Sequence, residues 1–316
     1  MPVRSLQYVA MCVPDLEVGR RFYTDFGLEA EERGDNLILR CQGREQDQLR
    51  LLEGSPKQLH HVCFGTREDE LPQLQTALEN SGARIVDAPA ETIHSNGGGE
   101  GIWWRDFEEM LFNVRAAEDT PWDTEIDYKV NTPGEKNRIG RRHEFFDYPQ
   151  IRPRRLGHTV LFTTDLKRKR RDFEAIGFRL ADSIGEFMDF YYLATGSDHH
   201  VLGFVISHSP ALQHVAFEVA GADEVHFGGR RMIDKGYIDA WGPGRHAGPG
   251  SNLFHYLRDP WSSCIEYFAD IDYIPEGTNW EPEVYGPDSY PDFWGPSVPR
   301  QFNTNFEKIK PGPERI

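Results

Sequence analysis

The segment LHHVCF (residues 59–64) returns 153 residues further along the chain as LQHVAF (residues 212–217). Both segments are apolar runs around a histidine, and such a composition is typical of a buried strand. The recurrence of a segment at a long, fixed distance is the signature of an internal repeat. The pair therefore predicts that the chain contains two copies of one structural unit.

Three further pairs of segments extend the repeat, in the same order and at offsets of 150 to 154 residues. They are VPDL (13–16) with TTDL (163–166), NSG (80–82) with DKG (234–236), and WRD (104–106) with LRD (257–259). Because the order is kept and the offset drifts by only a few residues, chance is a poor explanation. The repeat spans most of the chain.

Each copy is typical of paired βαβββ units. In the second copy, residues 156–162 form a strand-like run, Asp165 suits a helix N-cap and Gly177 suits the position after the helix. Strand-like segments follow at residues 190–193 and 201–206, before a new unit begins. The sequence predicts an α+β fold of two tandem modules, each with a mixed sheet curled into a cup.

The repeat also predicts the domain boundaries. We expect an N-terminal module at residues 1–115 and a C-terminal catalytic module at residues 156–268, joined by a charged, turn-rich linker at residues 116–155. Residues 269–316 hold eight of the 21 prolines and several aromatic residues. This tail is too aromatic for a disordered segment, so we expect it to pack over the active site.

Charge and composition exclude several classes of function. The 316 residues include 35 Lys and Arg against 51 Asp and Glu, and the net charge of -16 argues against binding to nucleic acid or to anionic membranes. Within such a chain, the basic run KRKRR (167–171) is interpreted as a solvated helix face or a subunit contact. The mean hydropathy is -0.61, and the roughly 18-residue apolar run of a membrane span is missing from the sequence.

The N-terminal residues and the cysteines bear on the compartment. The N-terminal residues carry no secretion signal, so we expect the cytoplasm. The four cysteines lie far apart in sequence, which argues against a disulfide framework and against a thiolate zinc site.

Three residues that can bind a metal lie on predicted strands of the second copy: His158, His214 and Glu266. Side chains alternate along a strand, so three strands of a cupped sheet can direct one ligand each at a common point. Two imidazoles and one carboxylate on one face of a metal leave the opposite positions open, which is characteristic of non-haem Fe(II) oxygen chemistry. The equivalent positions of the first copy, where only the histidine is a good ligand, are Tyr8, His61 and Asn113.

Five segments together resemble the type I extradiol ring-cleaving dioxygenases of the vicinal oxygen chelate superfamily. They are LGH (156–158), DHH (198–200), QHVAFE (213–218), GPGRH (242–246) and the stretch from Tyr256 to Glu266. The resemblance covers nearly the whole chain, and the segment DFWG (292–295) is similar to the tail of homoprotocatechuate 2,3-dioxygenases. The family is usually homotetrameric, so we expect a homo-oligomer.

The resemblance implies roles for particular residues. The trio of His158, His214 and Glu266 would hold Fe(II), with Mn(II) as the occasional replacement. The catalytic residues around the bound catechol and oxygen would be His200, His246 and Tyr256. His200 would exchange protons with the substrate, with His199 as the competing choice, and the predicted substrate contacts are Tyr192, Trp241 and His199.

The implied reaction inserts both atoms of O2 and opens an aromatic diol beside its hydroxyl groups during aromatic catabolism. Homoprotocatechuate enzymes grip a substrate carboxylate with arginines before the GPGRH segment and in the tail, whereas this chain has Trp241 and Tyr290-Pro291 there. We therefore expect a catechol without a carboxylate, bearing methyl, chloro or further hydroxyl groups, such as a trihydroxytoluene.

Two other classes of function remain open at this point. One is a glyoxalase-type lyase or isomerase, which needs a metal but consumes no oxygen. The other is a metal-free protein that binds an aromatic ligand. Oxygen consumption with a diol distinguishes the first from a dioxygenase, and metal content distinguishes the second.

Overall fold

Two mixed β-sheets, of eight and ten strands, form the body of the molecule, and a two-stranded sheet joins part of the tail to the C-terminal module. The computed structural model describes residues 2–90, 100–117, 130–140, 151–286 and 292–307. Helices and strands are numbered here in chain order. The α+β class predicted from the repeat is confirmed.

The described residues of the N-terminal module contain eight strands, two α-helices and a short 3-10 helix at Glu68–Glu70. Its elements are β1 (Ser5–Val13), α1 (Leu16–Phe26), β2 (Glu29–Arg33), β3 (Asn36–Arg40), β4 (Leu49–Glu53), β5 (Gln58–Thr66), α2 (Leu71–Ser81), β6 (Arg84–Val86), β7 (Ile102–Arg105) and β8 (Leu111–Ala116).

The C-terminal module repeats this succession, with one added short strand, and the tail contributes three strands more. The elements are β9 (Arg155–Thr163), α3 (Leu166–Ala175), β10 (Phe178–Ile184), β11 (Met188–Leu193), β12 (Gly196–Asp198), β13 (Leu202–Ile206), β14 (Ala211–Glu218), α4 (Ala222–Asp234), β15 (Asp239–His246), β16 (Leu253–Arg258), β17 (Cys264–Ala269), β18 (Tyr273–Pro275), β19 (Glu283–Tyr285) and β20 (Asp292–Trp294).

The strand order shows the repeat directly. The eight-stranded sheet has the order β2-β3-β4-β1-β5-β8-β7-β6, and the ten-stranded sheet has the order β19-β10-β11-β13-β9-β14-β17-β16-β15-β20. In each sheet the first strands of the two units pair antiparallel, β1 with β5 and β9 with β14. Each of these four strands also pairs in parallel with the last strand of its own unit. The predicted paired units are confirmed.

The first helix of each module begins and ends as its sequence predicts. Asp15 accepts hydrogen bonds from two backbone N–H groups of α1, and Asp165 accepts one from Arg168 of α3. Both helices are followed by a glycine with positive φ, Gly27 at 117° and Gly177 at 100°. A Cβ on Gly27 would lie 2.3 Å from the carbonyl oxygen of Ile151, so this turn also packs closely against the segment that leads into the second module.

The two modules share one hydrophobic core. Phe26 of α1 stacks on Tyr267 of β17 with ring centroids 3.9 Å apart, and the hydroxyl of Tyr267 donates a hydrogen bond to the carbonyl of Phe26. Phe64 of β5 contacts Phe173 of α3 edge-on. The modules therefore stabilise each other, because each completes apolar surface that the other leaves open.

The basic run at residues 167–171 is not simply a solvated face, so that interpretation is wrong for its central residue. Lys169 is fully buried, and its ammonium group pairs with Asp106 and with Glu108 of the N-terminal module, the latter at 2.9 Å. Lys167 is 89% exposed, as expected for a surface residue. The difference arises because the 3.6-residue period of a helix turns one residue of any such run toward the neighbouring module.

The predicted module boundaries stay a prediction, and three strands end or begin near them. Strand β8 ends at Ala116, β9 begins at Arg155 and β17 ends at Ala269. Most of the predicted linker, residues 118–129 and 141–150, lies outside the described residues. None of the helices in the described ranges has the length and apolar composition needed to cross a bilayer.

The tail pairs with strands of the C-terminal module at three places. Strand β18 pairs with β12, β19 lies parallel to β10 at one edge of the ten-stranded sheet, and β20 pairs with β15 at the other edge. Further on, Phe302 packs against Trp241 and Tyr256. Tyr290, which the substrate prediction used, lies outside the described residues.

Candidate metal centre

The three predicted ligands lie on three neighbouring strands, β9, β14 and β17. In the register of these strands, Ala216 lies between His158 on one side and Glu266 on the other, with His214 two residues before it. Glu266 Oε2 is 3.1 Å from His158 Nε2 and 3.5 Å from His214 Nε2. One ligand atom from each residue lies within 4.8 Å of the others, which is close enough for a single ion.

Two buried nitrogens of this cluster need a partner. The Nδ1 of His158 and the Nε2 of His214 are buried and accept or donate no hydrogen bond within the described structure. Leaving such an atom unsatisfied costs about 1–3 kcal/mol, and a native protein rarely does so without a reason. For His214 Nε2, which lies 3.5 Å from Glu266 Oε2, a bound metal ion would supply that reason.

Burial disfavours the charged forms of the three predicted ligands. It raises the pKa of Glu266 to about 8 and lowers the pKa of His158 to about 3. Burial likewise holds the pKa of His214 well below its usual value. A divalent cation needs an ionised carboxylate and neutral imidazoles, and its charge stabilises that carboxylate where water does not reach. Two imidazoles and one carboxylate therefore fit a divalent metal, with coordination positions to spare.

Side chains behind the ligands fix their orientation. Asn252 Nδ2 donates to Glu266 Oε1 at 3.1 Å. The Nδ1–H of His214 donates to the side-chain oxygen of Gln213, whose amide nitrogen in turn donates to the carbonyl of Phe302 at 3.3 Å. With Nδ1 carrying the proton, Nε2 of His214 is the nitrogen available to a metal.

Sequence reasoning missed Gln213 as a partner of His214. Consecutive residues of a regular strand point to opposite faces, so Gln213 would not be expected to contact its neighbour. The pairing of β14 with β9 has an irregularity between Leu212 and His214, and such a bulge redirects side chains. A bulge of this kind has no reliable signal in a single sequence.

The predicted catalytic residues surround the ligands. The ring of His200 lies 4.4 Å from that of His158, and the ring of Tyr256 lies 5.3 Å from that of His214, measured between centroids. His246 Nε2 is 3.3 Å from the hydroxyl of Tyr256. The structure thus brings all six residues to one place, and all of them are buried.

Aromatic side chains form one wall beside this cluster. The ring of Trp241 stacks on that of Tyr256 at 5.5 Å with an interplanar angle of 7°, and Phe302 of the tail meets both rings edge-on. Phe254 stacks on His246 at 4.1 Å. The wall suits a flat, apolar ring and excludes water from it.

The predicted substrate contacts fall into three different settings. Trp241 belongs to the aromatic wall. Tyr192 packs in a separate group with Ile274 and Trp280, which also includes Phe190, the residue whose ring lies 5.0 Å from that of His200. His199 is engaged through both ring nitrogens, with Asp182 at 2.8 Å and with His200 at 3.1 Å.

The equivalent positions of the N-terminal module are hydrogen-bonded to protein groups. The hydroxyl of Tyr8 is 3.1 Å from His61 Nε2, and the thiol of Cys63 donates to Asn113. The guanidinium of Arg50 lies 4.0 Å from the centroid of the Tyr8 ring. Within the described residues, the cluster with ligand geometry is that of the C-terminal module.

Comparison with known proteins assigns the chain to a family. It is 34% identical over 308 residues to Metapyrocatechase 2 of Cupriavidus necator, a match that covers 96% of this chain and 93% of the relative. No family model matches the chain.

Solved structures share the fold at lower identity. An extradiol ring-cleaving dioxygenase from B. fuscum has a TM-score of 0.75 at 21% identity, with 96% of this chain and 82% of that chain covered. A Mn(II)-bound glyoxalase from Novosphingobium aromaticivorans has the same TM-score at 22% identity, with 94% of each chain covered. The fold alone therefore does not separate the two chemistries.

The fold and the buried cluster of two histidines and one glutamate define an enzyme of the vicinal oxygen chelate type that depends on a metal. Within that superfamily the chain belongs to the extradiol ring-cleaving dioxygenases, as its identity to the Cupriavidus metapyrocatechase over nearly its whole length shows. The resemblance seen in the sequence is confirmed, and the glyoxalase and metal-free alternatives are not supported.

Proposed function

We propose that this dioxygenase uses Fe(II) to cleave a substituted catechol that carries no carboxylate. The observation that carries the proposal is the convergence of His158, His214 and Glu266 beside an aromatic wall that offers a flat ring apolar contacts. A catechol is also the substrate class of the metapyrocatechase relative.

The ligand residues would hold the metal on one face. The bound metal would act as a Lewis acid toward two adjacent hydroxyl groups and as a template for diol and dioxygen. His158, His214 and Glu266 contribute two neutral donors and one negative charge. Asn252 and Gln213 keep the carboxylate and the imidazole of His214 in place.

The surrounding side chains would handle protons and orient the ring. His200, against His158, is in reach of a diol oxygen and can accept its proton as a general base and return it as a general acid. His246 and Tyr256 are hydrogen-bonded to each other, and Tyr256 lies against His214, so both could donate to the diolate. The aromatic wall keeps water away from these groups.

The charges near the centre favour a substrate without a carboxylate. Arg245 pairs with Asp270 at 2.7 Å, and Arg155 pairs with both Asp198 and Glu218. These cations are already neutralised, and Trp241 lines the wall where carboxylate-binding relatives are expected to place an arginine. A substrate carboxylate would be buried here without a counter-ion, which is costly.

Anaerobic reconstitution tests the proposal. Purified protein is loaded with Fe(II) or Mn(II), and oxygen uptake is followed with catechol, methylcatechols, chlorocatechols, a trihydroxytoluene and homoprotocatechuate. We expect uptake of one O2 per ring with a yellow product, fastest with Fe(II) and slowest with the carboxylated substrate. Equal or faster turnover of homoprotocatechuate would overturn the substrate assignment, and turnover with Mn(II) alone would overturn the assignment of Fe(II).

We also propose that the chain is a cytoplasmic homotetramer. Phe187 and Ile206 are exposed apolar residues linked by a backbone hydrogen bond, and Val284 on the adjacent edge strand is 68% exposed. Contact with another copy would cover this surface. Light scattering coupled to size-exclusion chromatography should give four times the mass of 36.3 kDa, and a monomer would contradict the proposal.

A further inference from the structure

A chain of hydrogen bonds leads away from the metal centre through His200. His200 Nδ1 is 3.1 Å from His199 Nδ1, and His199 Nε2 is 2.8 Å from Asp182 Oδ2. All three side chains are buried, with exposures of 4%, 1% and 4% for His200, His199 and Asp182. The other oxygen of Asp182 accepts the backbone N–H of Glu283 at 2.8 Å.

We propose that Asp182 and His199 are positioning residues, which hold His200 in the tautomer whose Nε2 accepts a proton from the substrate. The proposal deepens the proposed function and rests on it for the role of His200. It also gives His199 a different role from the substrate contact that the resemblance implied.

The donor and acceptor of each hydrogen bond between Asp182, His199 and His200 follow from which groups carry a proton. A carboxylate only accepts hydrogen bonds, so the proton between Asp182 and His199 belongs to His199 Nε2. A neutral imidazole carries one N–H, so His199 Nδ1 is an acceptor and the proton of the second hydrogen bond belongs to His200 Nδ1. His200 Nε2 is then left with a lone pair, as a general base requires.

The ring of His200 contacts both His158 and His199, with ring centroids 4.4 Å and 5.4 Å apart. The hydrogen bonds that start at Asp182 and pass through His199 therefore end at the side chain that lies against a predicted metal ligand.

The tail holds this chain of hydrogen bonds in place. Glu283, which donates to Asp182, belongs to β19 of the tail. The backbone N–H of His199 donates to the carbonyl of Asp272 at 2.7 Å. Trp280 lies edge-on to His199, with ring centroids 5.7 Å apart, and donates to the carbonyl of Ala181. Three tail residues thus contact Asp182 or His199.

The substitution Asp182→Asn is predicted to reverse the tautomers of both His199 and His200. Asparagine has one side-chain oxygen, and the backbone N–H of Glu283 needs it. The amide NH2 group therefore faces His199 Nε2, which can accept this hydrogen bond only after losing its proton. The proton moves to His199 Nδ1, which then donates to His200, and His200 becomes protonated at Nε2.

Nitrogen NMR on protein labelled with 15N-histidine tests these tautomers directly. The protein is loaded with zinc, which is diamagnetic, and signals are assigned with His199→Gln and His200→Gln variants. We expect the wild type to carry protons on His199 Nε2 and His200 Nδ1, and Asp182→Asn to carry them on His199 Nδ1 and His200 Nε2. A wild-type His200 protonated at Nε2, or a doubly protonated His199, would overturn the proposal even if Asp182→Asn does not fold.

Kinetics add a second measurement. We expect Asp182→Asn to lower kcat by about 10- to 100-fold, the range typical of partners behind a catalytic or metal-binding side chain, with little change in KM. The matched control is Asp189→Asn, which removes another buried carboxylate, one that binds Arg170 and Tyr191. It should keep the wild-type tautomers and kcat, and an equal loss of kcat in both variants would contradict the proposal.

Two substitutions of His199 distinguish its hydrogen bond to His200 from its contribution to packing. His199→Gln can still accept a hydrogen bond from His200 Nδ1 through its amide oxygen, whereas His199→Leu cannot. We expect the glutamine variant to retain more of the wild-type kcat than the leucine variant. If wild-type protein cleaves no diol at all, the proposed function fails, while the tautomers measured by NMR still decide this inference separately.

Discussion

His214 and His61 occupy equivalent positions in the two modules. Comparing them shows which surrounding side chains differ between a predicted metal site and its counterpart. Both are buried histidines on the first strand of a second βαβββ unit. His61 is hydrogen-bonded to the hydroxyl of Tyr8, whereas His214 directs Nε2 at Glu266. The surrounding side chains, and not the histidine itself, place His214 in a group that could hold a metal ion.

This contrast gives a prediction with a built-in control. His214→Ala should abolish stoichiometric metal binding and lower activity by more than the roughly 10- to 100-fold loss that outer partners cause. His61→Ala should lower thermal stability but retain the metal. Metal content after dialysis, measured by atomic emission, checks both, and metal loss in the His61 variant would contradict the assignment of the centre to the C-terminal module.

Gln213 is predicted to matter for metal affinity and not only for packing. Gln213→Leu removes the acceptor that fixes the proton of His214 on Nδ1, so we expect metal affinity to fall by about 10- to 100-fold. The matched control is His60→Leu, which changes the residue that contacts His61 in the same way. Competition with a chelator of known affinity measures both, and equal affinities in the two variants would refute the role of Gln213.

At the scale of elements, the tail is the part of the chain that completes the site. Glu307 binds the ammonium of Lys57 at 2.6 Å and the backbone N–H of Leu59 at 2.9 Å, both in the N-terminal module. Five residues earlier, Phe302 contacts Trp241 and Tyr256. The tail therefore links the first module to the aromatic wall of the second.

The contribution of Phe302 is testable against a neighbouring phenylalanine. Phe302 is 8% exposed and Phe306 is 36% exposed. Phe302→Ala should lower the free energy of unfolding by about 3 kcal/mol, as expected for a buried phenylalanine, and should raise KM because the wall loses a ring. Phe306→Ala should change both much less. Denaturant unfolding and steady-state kinetics provide the measurements, and similar effects of the two substitutions would contradict this account.

Arg4, just before β1, forms an ion pair that depends on pH with Glu70, the last residue of the short 3-10 helix after β5. Two side-chain nitrogens of Arg4 donate to the carboxylate of Glu70, each at 2.8 Å, and these hydrogen bonds lower the pKa of Glu70 to about 2 from its usual value of 4.5. The folded state thus binds this proton less readily than the unfolded state does. The stabilisation is complete above pH 4.5 and is lost as the pH falls toward 2.

Glu70→Gln tests that dependence. The difference in the free energy of unfolding between wild type and variant should be largest near neutral pH and should shrink as the pH falls through 4.5 toward 2. Denaturant unfolding at several pH values measures it in both proteins. A difference that stays constant over this range would show that Glu70 is not held ionised in the folded state.

At the scale of the whole molecule, the two modules depend on each other through Lys169. Its ammonium group is fully buried and pairs with Asp106 and Glu108 across the junction. Removing one partner of a buried ion pair leaves the other charges without compensation, which costs about 3–5 kcal/mol. Lys169→Met should therefore lower the free energy of unfolding by this amount, in a single transition if the modules unfold together.

The control for this experiment is a substitution of Lys167, two residues before Lys169. Lys167→Met changes the same residue type in the same helix at a side chain that is 89% exposed, so its effect should stay below about 0.5 kcal/mol. Calorimetry measures both variants. Two separate transitions in wild-type protein, or equal losses in the two variants, would show that Lys169 does not couple the modules.

The sequence by itself was sufficient for the repeat and the α+β class, because each leaves a local signal. Strand composition, the capping residues Asp15 and Asp165 and the glycines after the helices act within a few residues of chain. The first module supplies an internal comparison at the same strand positions, which singled out His158, His214 and Glu266 as the predicted ligands.

Only the tertiary structure decided which residues stand behind these ligands. Gln213 reaches His214 through a bulge, Asp182 reaches His199 across 17 positions, and Glu307 reaches Lys57 across 250. Such contacts depend on strand register and on how the tail returns along the sheet. These properties arise from the packing of the whole chain, so no local pattern of residues carries them.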